Sequence, residues 1–274
     1  MRFGICNEIF DGWSLDDTFA FAAKTGYDAV EIAPFTIAPY VTDISAAKRQ
    51  EIKDLSAKHN IAVSGLHWVL VKAEGMHLTH QDEAIRKKTA QYMVDLVNCC
   101  ADVGGDTIVV GSPKQRDIVP PVTFEQGWEW ATECFRESIK VGEDRGVTVC
   151  FEPLAPSETN FINTAAQAIE FIEQIPSSAF KIILDVKAMS GDPKPTPQII
   201  RDSWPHFAYF HANDENLKGP GFGDTDYVPI GEALRDVGYE GVVSVEVFNF
   251  EEGPEVIATK SLEHLKKTVA PQNS

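Results

Sequence analysis

Short apolar runs rich in β-branched residues recur eight times along the chain. They are Arg2–Cys6, Asp28–Ile32, Ile61–Leu66, Thr107–Val110, Val147–Phe151, Lys181–Leu184, Phe207–Phe210 and Val242–Val245. Several are continuous rather than alternating, the pattern of strands buried on both faces of a parallel sheet. Helix signals fill the intervals. Ser14 with Asp17, Thr123 with Gln126 and Thr164 with Gln167 have capping-box spacing. Pro197, Pro229 and Pro254 suit first helical positions. Ile85, Tyr92, Leu96 and Val103 share one face of a long third helix. Gly26, Asn60, Gly104, Gly105, Gly146 and Gly238 stand where helices give way to strands. Eight such units with right-handed crossovers predict an α/β fold, a (β/α)₈ TIM barrel forming a single domain over residues 1–274. A doubly wound open sheet is the alternative, but the glycine-rich turn it usually carries after its first strand is absent.

Composition narrows the function. Acidic residues outnumber basic ones 41 to 24, for a net charge of −17. No basic run exceeds Arg86-Lys87-Lys88, which a solvated helix face explains. Nucleic acid is therefore not an expected partner. The five cysteines form no C-x-x-C pair and are expected to be buried thiols in a reducing compartment. With neither a signal-peptide pattern nor an apolar stretch of membrane-spanning length, a cytoplasmic protein without membrane attachment is expected.

In this fold, chemistry belongs at the C-terminal ends of the strands. Strand 1 leads to Asn7-Glu8, strand 2 carries Glu31 near its end, and strand 3 leads to His67-Trp68. Strands 5 to 8 run directly into Glu152, Asp185, His211 and Glu246. Four consecutive strand ends thus each offer a metal ligand, and adjacent strands lie about 4.8 Å apart. Three carboxylates and one imidazole favour a single divalent ion, Mn²⁺ first, with Mg²⁺, Co²⁺ or Zn²⁺ as alternatives. A cation also relieves the repulsion among the carboxylates.

The segments Phe151-Glu152-Pro153, Leu184-Asp185-Val186, Phe210-His211-Ala212-Asn213-Asp214 and Val245-Glu246-Val247 resemble the xylose-isomerase-like barrel superfamily. The closer likeness is to its sugar phosphate isomerase/epimerase branch, which includes the ketose 3-epimerases. Gly65-Leu66-His67-Trp68, Gly111-Ser112-Pro113, Glu158 to Thr164 and Gly219 to Gly223 extend the likeness over essentially the whole chain. The resemblance implies that Glu152, Asp185, His211 and Glu246 bind the metal and that Glu152 and Glu246 also exchange protons with substrate. It implies further that Glu158 contacts substrate and that the protein is a homodimer or homotetramer. One departure stands out. Ketose 3-epimerases place a substrate-contacting histidine three residues beyond the strand-6 aspartate, where this chain has Ala188, with Lys187 beside it. Their arginine after strand 7 has only Lys218 as a counterpart.

The expected activity is metal-dependent isomerisation or epimerisation of a keto-sugar or keto-cyclitol, phosphorylated or not, by proton transfer through a metal-stabilised enediolate. The same apparatus suits a lyase, either a dehydratase or a 3-keto-glycoside eliminase. A non-catalytic carbohydrate-binding protein is the remaining alternative, and an AP-endonuclease would require further histidines and a basic face. His67 and Trp68 form a candidate substrate wall, or packing at the barrel top. Arg116 holds a polar or anionic substrate group or pairs with Asp117 at the surface. Glu31 meets a substrate hydroxyl or orients His67. The Gly219–Gly223 stretch is expected to be a tight turn, since Asp224 and Asp226 would repel phosphate. His77 and His80 are expected in a loop, and Phe10, Trp13 and Phe35 as a lid or cover over the barrel top.

Overall fold

The computed structural model describes residues 1–270. Eight parallel strands close into one barrel in sequence order. They are β1 (Arg2–Cys6), β2 (Ala29–Ile32), β3 (Ala62–Leu66), β4 (Thr107–Val110), β5 (Thr148–Phe151), β6 (Phe180–Asp185), β7 (Phe207–Ala212) and β8 (Val242–Val245). The α-helices are α1 (Leu15–Thr25), α2 (Ala46–His59), α3 (Glu83–Val103), α4 (Phe124–Arg145), α5 (Ala165–Ile172), α6 (Val186–Met189), α7 (Thr196–Ser203), α8 (Tyr227–Asp236) and α9 (Pro254–Thr268). The eight apolar runs of the sequence are therefore the eight strands of the barrel. No described helix is long and apolar enough to cross a membrane.

Helix boundaries follow their capping chemistry. Thr123 and Gln126 close a full capping box on α4. At α5 the Thr164 hydroxyl accepts from the Gln167 N–H, but the Gln167 side chain turns to the Asn163 N–H, so the reciprocal bond is missing. Gly26 ends α1 at φ 99°, a conformation that disfavours any residue with a Cβ. Only Pro254 is the first residue of its helix; Pro197 is second and Pro229 third, where a missing N–H is equally harmless. All five cysteines are free and buried.

Two differences from the sequence expectation matter for chemistry. β6 and β7 run on through Asp185 and His211, which pair with each other in the ladder, so both ligand candidates sit within strands. Asp185 then caps α6, a single turn that the apolar pattern did not signal, by accepting from the Ala188 N–H at 2.7 Å. Along each strand the residues two positions earlier share a face. Cys150, Ile183, Tyr209 and Ser244 therefore form a buried floor beneath Glu152, Asp185, His211 and Glu246.

Candidate metal centre and substrate cleft

Donor atoms of Glu152, Asp185 and His211 all lie within 4.8 Å of one another. His211 Nδ1 is 3.2 Å from Glu246 Oε2, so the fourth strand end joins the group. All four residues are buried. Gly111 permits this crowding, because a Cβ there would overlap the Glu152 carboxylate. Burial, together with repulsion from Asp185 and Glu246, pushes the Glu152 carboxyl up to about 8. Burial and Glu246 push Asp185 up to about 6. Burial would raise Glu246 as well, but attraction to His211 outweighs it and holds that carboxyl below its ordinary value.

Asp185 and His211 are each oriented from behind. Asn213 Nδ2 donates to Asp185 Oδ2 at 2.5 Å, and Asn213 Oδ1 accepts from the Lys187 N–H. Glu31 has both oxygens 3.1 Å from His211 Nε2, which leaves Nδ1 facing the carboxylates. His211 Nδ1 has no aligned hydrogen-bond partner, although it is buried. A buried imidazole nitrogen aimed at three carboxylates, with its other nitrogen held by a fourth, fits a divalent cation of the oxygen- and imidazole-preferring kind.

Behind the centre, Glu31 also lies 3.7 Å from His67 Nδ1, and His67 Nε2 lies 2.9 Å from Glu8 Oε1. Burial opposes protonation of His67, but Glu8 and Glu31 overcome it and raise the imidazole to about 9. Burial likewise works against the Glu31 carboxylate, and the two histidines hold it at about 2. Glu31 therefore meets His211 more closely than His67. Glu8 also follows the end of a strand, as the four ligand candidates do, but nothing in the sequence assigned it a partner.

The cleft above is walled by His67, Trp68, Glu158, Lys187 and Phe248, with Glu152 and Glu246 at its base. Lys187 Nζ donates to Glu158 Oε1 at 2.7 Å and stands 4.3 Å over the Phe248 ring. Glu158 Oε2 is buried without a hydrogen-bond partner. Phe248 lies two residues beyond Glu246, in the loop after β8. Ala188 contributes no side chain to the cleft walls.

Two other candidates stand elsewhere. Lys218 Nζ is taken by Glu252 at 2.8 Å and does not line the cleft. Arg116 neither reaches the cleft nor pairs with Asp117 at the surface, because it is fully buried. Its guanidinium donates to the carbonyls of Ser112, Glu152 and Val110 and lies 4.5 Å over the Phe151 ring. It thus ties the end of β4 to the end of β5 under Glu152. Hydrogen bonds to charged groups contribute about 1.5–3 kcal/mol each. Arg116→Met is accordingly expected to lower stability by about 3 kcal/mol or more, read as a fall in the urea midpoint. An unchanged midpoint would show the bracing to be idle.

Elsewhere at the barrel top, Asp214 accepts from the Gly223 N–H and the Thr225 hydroxyl, so the 219–223 stretch is pinned by a carboxylate. That agrees with a tight turn and leaves no anion cradle. His77 and His80 lie between β3 and α3. Phe10 and Trp13 pack with Phe21.

The family description "xylose isomerase-like TIM barrel" matches residues 19–268. The chain belongs to this family. It is 30% identical over 230 residues to the D-psicose 3-epimerase of Ruminiclostridium cellulolyticum, covering 82% of this chain and 75% of that protein. It is 24% identical over 253 residues to the 3-dehydro-D-guloside 4-epimerase of Escherichia coli strain K12, covering 90% and 92%. Among solved structures, D-psicose 3-epimerase with D-tagatose from Clostridium cellulolyticum H10 superposes with a TM-score of 0.86 at 25% identity. That match covers 99% of this chain and 100% of the other. The protein is a sugar-epimerase-like enzyme.

Proposed function

We propose that this protein is a divalent-metal-dependent epimerase or isomerase of a keto-sugar or keto-cyclitol, with Glu152, Asp185, His211 and Glu246 as the ligands of one ion, Mn²⁺ by preference. The observation that carries the reading is the buried convergence of three carboxylates and an imidazole at the base of a cleft with polar and aromatic walls. An ion held there would supply Lewis-acid polarisation of the substrate's carbonyl and adjacent hydroxyl oxygens.

The remaining work falls to the chain. Glu152 and Glu246, on β5 and β8 ends, both open into the cleft. One removes the proton beside the carbonyl, leaving an enediolate, and the other returns a proton to the opposite face or the neighbouring carbon. Glu158, with one oxygen bonded to Lys187 and the other free, is an acceptor for a substrate hydroxyl, and Lys187 is a donor beside it. Trp68 and Phe248 offer ring faces to the apolar side of a sugar. The relatives described above suggest a first panel: D-psicose, D-tagatose and 3-dehydro-D-guloside.

Each substrate is incubated with protein and Mn²⁺ in D₂O, the metal is removed by chelation, and the products are read by NMR. An isomer that differs in mass from its substrate only by the deuterium it carries at the carbon next to the carbonyl is expected. Prior chelation should abolish turnover, and added Mn²⁺ should restore it. Loss of a leaving group would point to a lyase instead, and a protein that takes up no divalent ion would refute the assignment.

A further inference from the structure

We propose that Trp68 is a positioning residue for Glu246, its indole N–H fixing one carboxylate oxygen while the other faces His211. Trp68 Nε1 donates to Glu246 Oε1 at 2.7 Å, and Glu246 Oε2 lies 3.2 Å from His211 Nδ1. The two oxygens are thereby given different neighbours. The torsion that turns a carboxylate is broad and roughly two-fold, so without a donor the plane of Glu246 would be loosely set.

The backbone around Trp68 is organised for this contact. Trp68 sits at φ 52°, in the left-handed region that bulky residues rarely occupy. Strain of this kind persists only where surrounding structure over-determines it. Here His67 is buried beside Glu8 and Glu31 on one side, and the Leu70 N–H donates to Ser112 Oγ at 3.1 Å on the other. Phe248 packs against the indole with ring centroids 5.9 Å apart. A wall for a sugar requires only an aromatic face. It requires neither the unusual φ nor an N–H aimed at a carboxylate. Trp68 and Glu246 both line the cleft, so the fixed oxygen belongs to the group that moves protons in the function proposed above, on which this inference rests.

Trp68→Phe keeps the ring and removes the N–H. Loss of a group that orients a metal ligand typically costs about 10- to 100-fold in metal affinity or activity. We expect kcat to fall by about that factor, KM to change less than about twofold, and the Mn²⁺ dissociation constant to rise about tenfold. In the Glu246→Ala background the same substitution should leave Mn²⁺ affinity unchanged, since the two act as one unit. A rise in KM with kcat intact, or equal penalties on metal affinity in both backgrounds, would overturn the proposal in favour of a simple wall. A second measurement leaves Trp68 in place: among the five tryptophan indole N–H resonances, one should move upfield in Glu246→Ala while four stay. If none moves, the hydrogen bond is absent and the proposal fails. A wild-type protein that neither binds metal nor turns over a keto-sugar would defeat the proposed function, whereas an active wild type with a neutral Trp68→Phe would defeat only the role of Trp68.

Discussion

Glu152→Gln and Glu246→Gln are each expected to lower kcat by about 10²- to 10⁴-fold, the range typical of a lost acid–base group. The two variants should also differ from each other in an informative way. Two carboxylates that handle opposite faces of one carbon divide the reaction into removal and return of a proton. Abolishing the removing group stops all exchange with solvent. Abolishing the returning group still permits the first face to lose its proton and regain one from the same carboxylate. One variant should therefore wash deuterium into the first epimer without forming the second, and the other variant should do the same starting from the second epimer. Glutamine retains an oxygen for the ion, so metal content must be measured alongside. If both variants hold metal and neither distinguishes the two epimers, the division of labour between Glu152 and Glu246 is wrong. If both lose the metal, the comparison reports their ligand role instead.

The barrel and its four acidic or imidazole strand ends were legible because each depends on local pattern. A buried parallel strand is a continuous apolar run, and the first polar residue after it faces the barrel mouth. The strand ends also offered Glu8, Glu31 and His67, but pairing among them depends on how neighbouring strands stagger. β2 and β3 have an irregular register after Val30, and that shift helps set where Glu31 stands. Arg116 was harder still. A guanidinium enclosed by three carbonyls has no sequence signature, because its partners are backbone atoms common to every residue. Lys218 looked available for substrate, yet its partners Glu251 and Glu252 lie in the loop after β8, more than thirty residues away. The acidic balance of the chain makes such capture of a loop lysine easy. Trp68 could be named as a wall from its position alone, whereas its positive φ and its bond to Glu246 depend on three-dimensional packing.

Glu31→Gln is expected to weaken the protein most severely, although Glu31 does not line the cleft. Glu31 is enclosed by His211 and His67, and it accepts from the Tyr209 hydroxyl at 3.1 Å. Removing one partner of a buried ionic group typically costs about 3–5 kcal/mol, because the remaining charge stays buried. Metal affinity should fall as well, by about 10- to 100-fold, since Glu31 sets the direction of His211. The pH dependence has a definite sign. The Glu31 carboxyl is lowered from 4.5 to about 2, so its contribution is present above pH 4.5 and is lost as the pH falls through 2. The His67 imidazole is raised from 6.5 to about 9 and that of His211 is raised above 6.5 as well, so both contributions are complete below pH 6.5 and are lost as the pH rises through their folded-state values. The stability gap between wild type and Glu31→Gln, measured by urea unfolding of metal-free protein, should therefore be widest from pH 4.5 to 6.5 and should narrow towards pH 9. A gap that stays constant across that range would mean that neither His67 nor His211 changes charge within it. The stabilisation from Glu31 would then owe nothing to the titration of the two imidazoles it meets behind the metal centre.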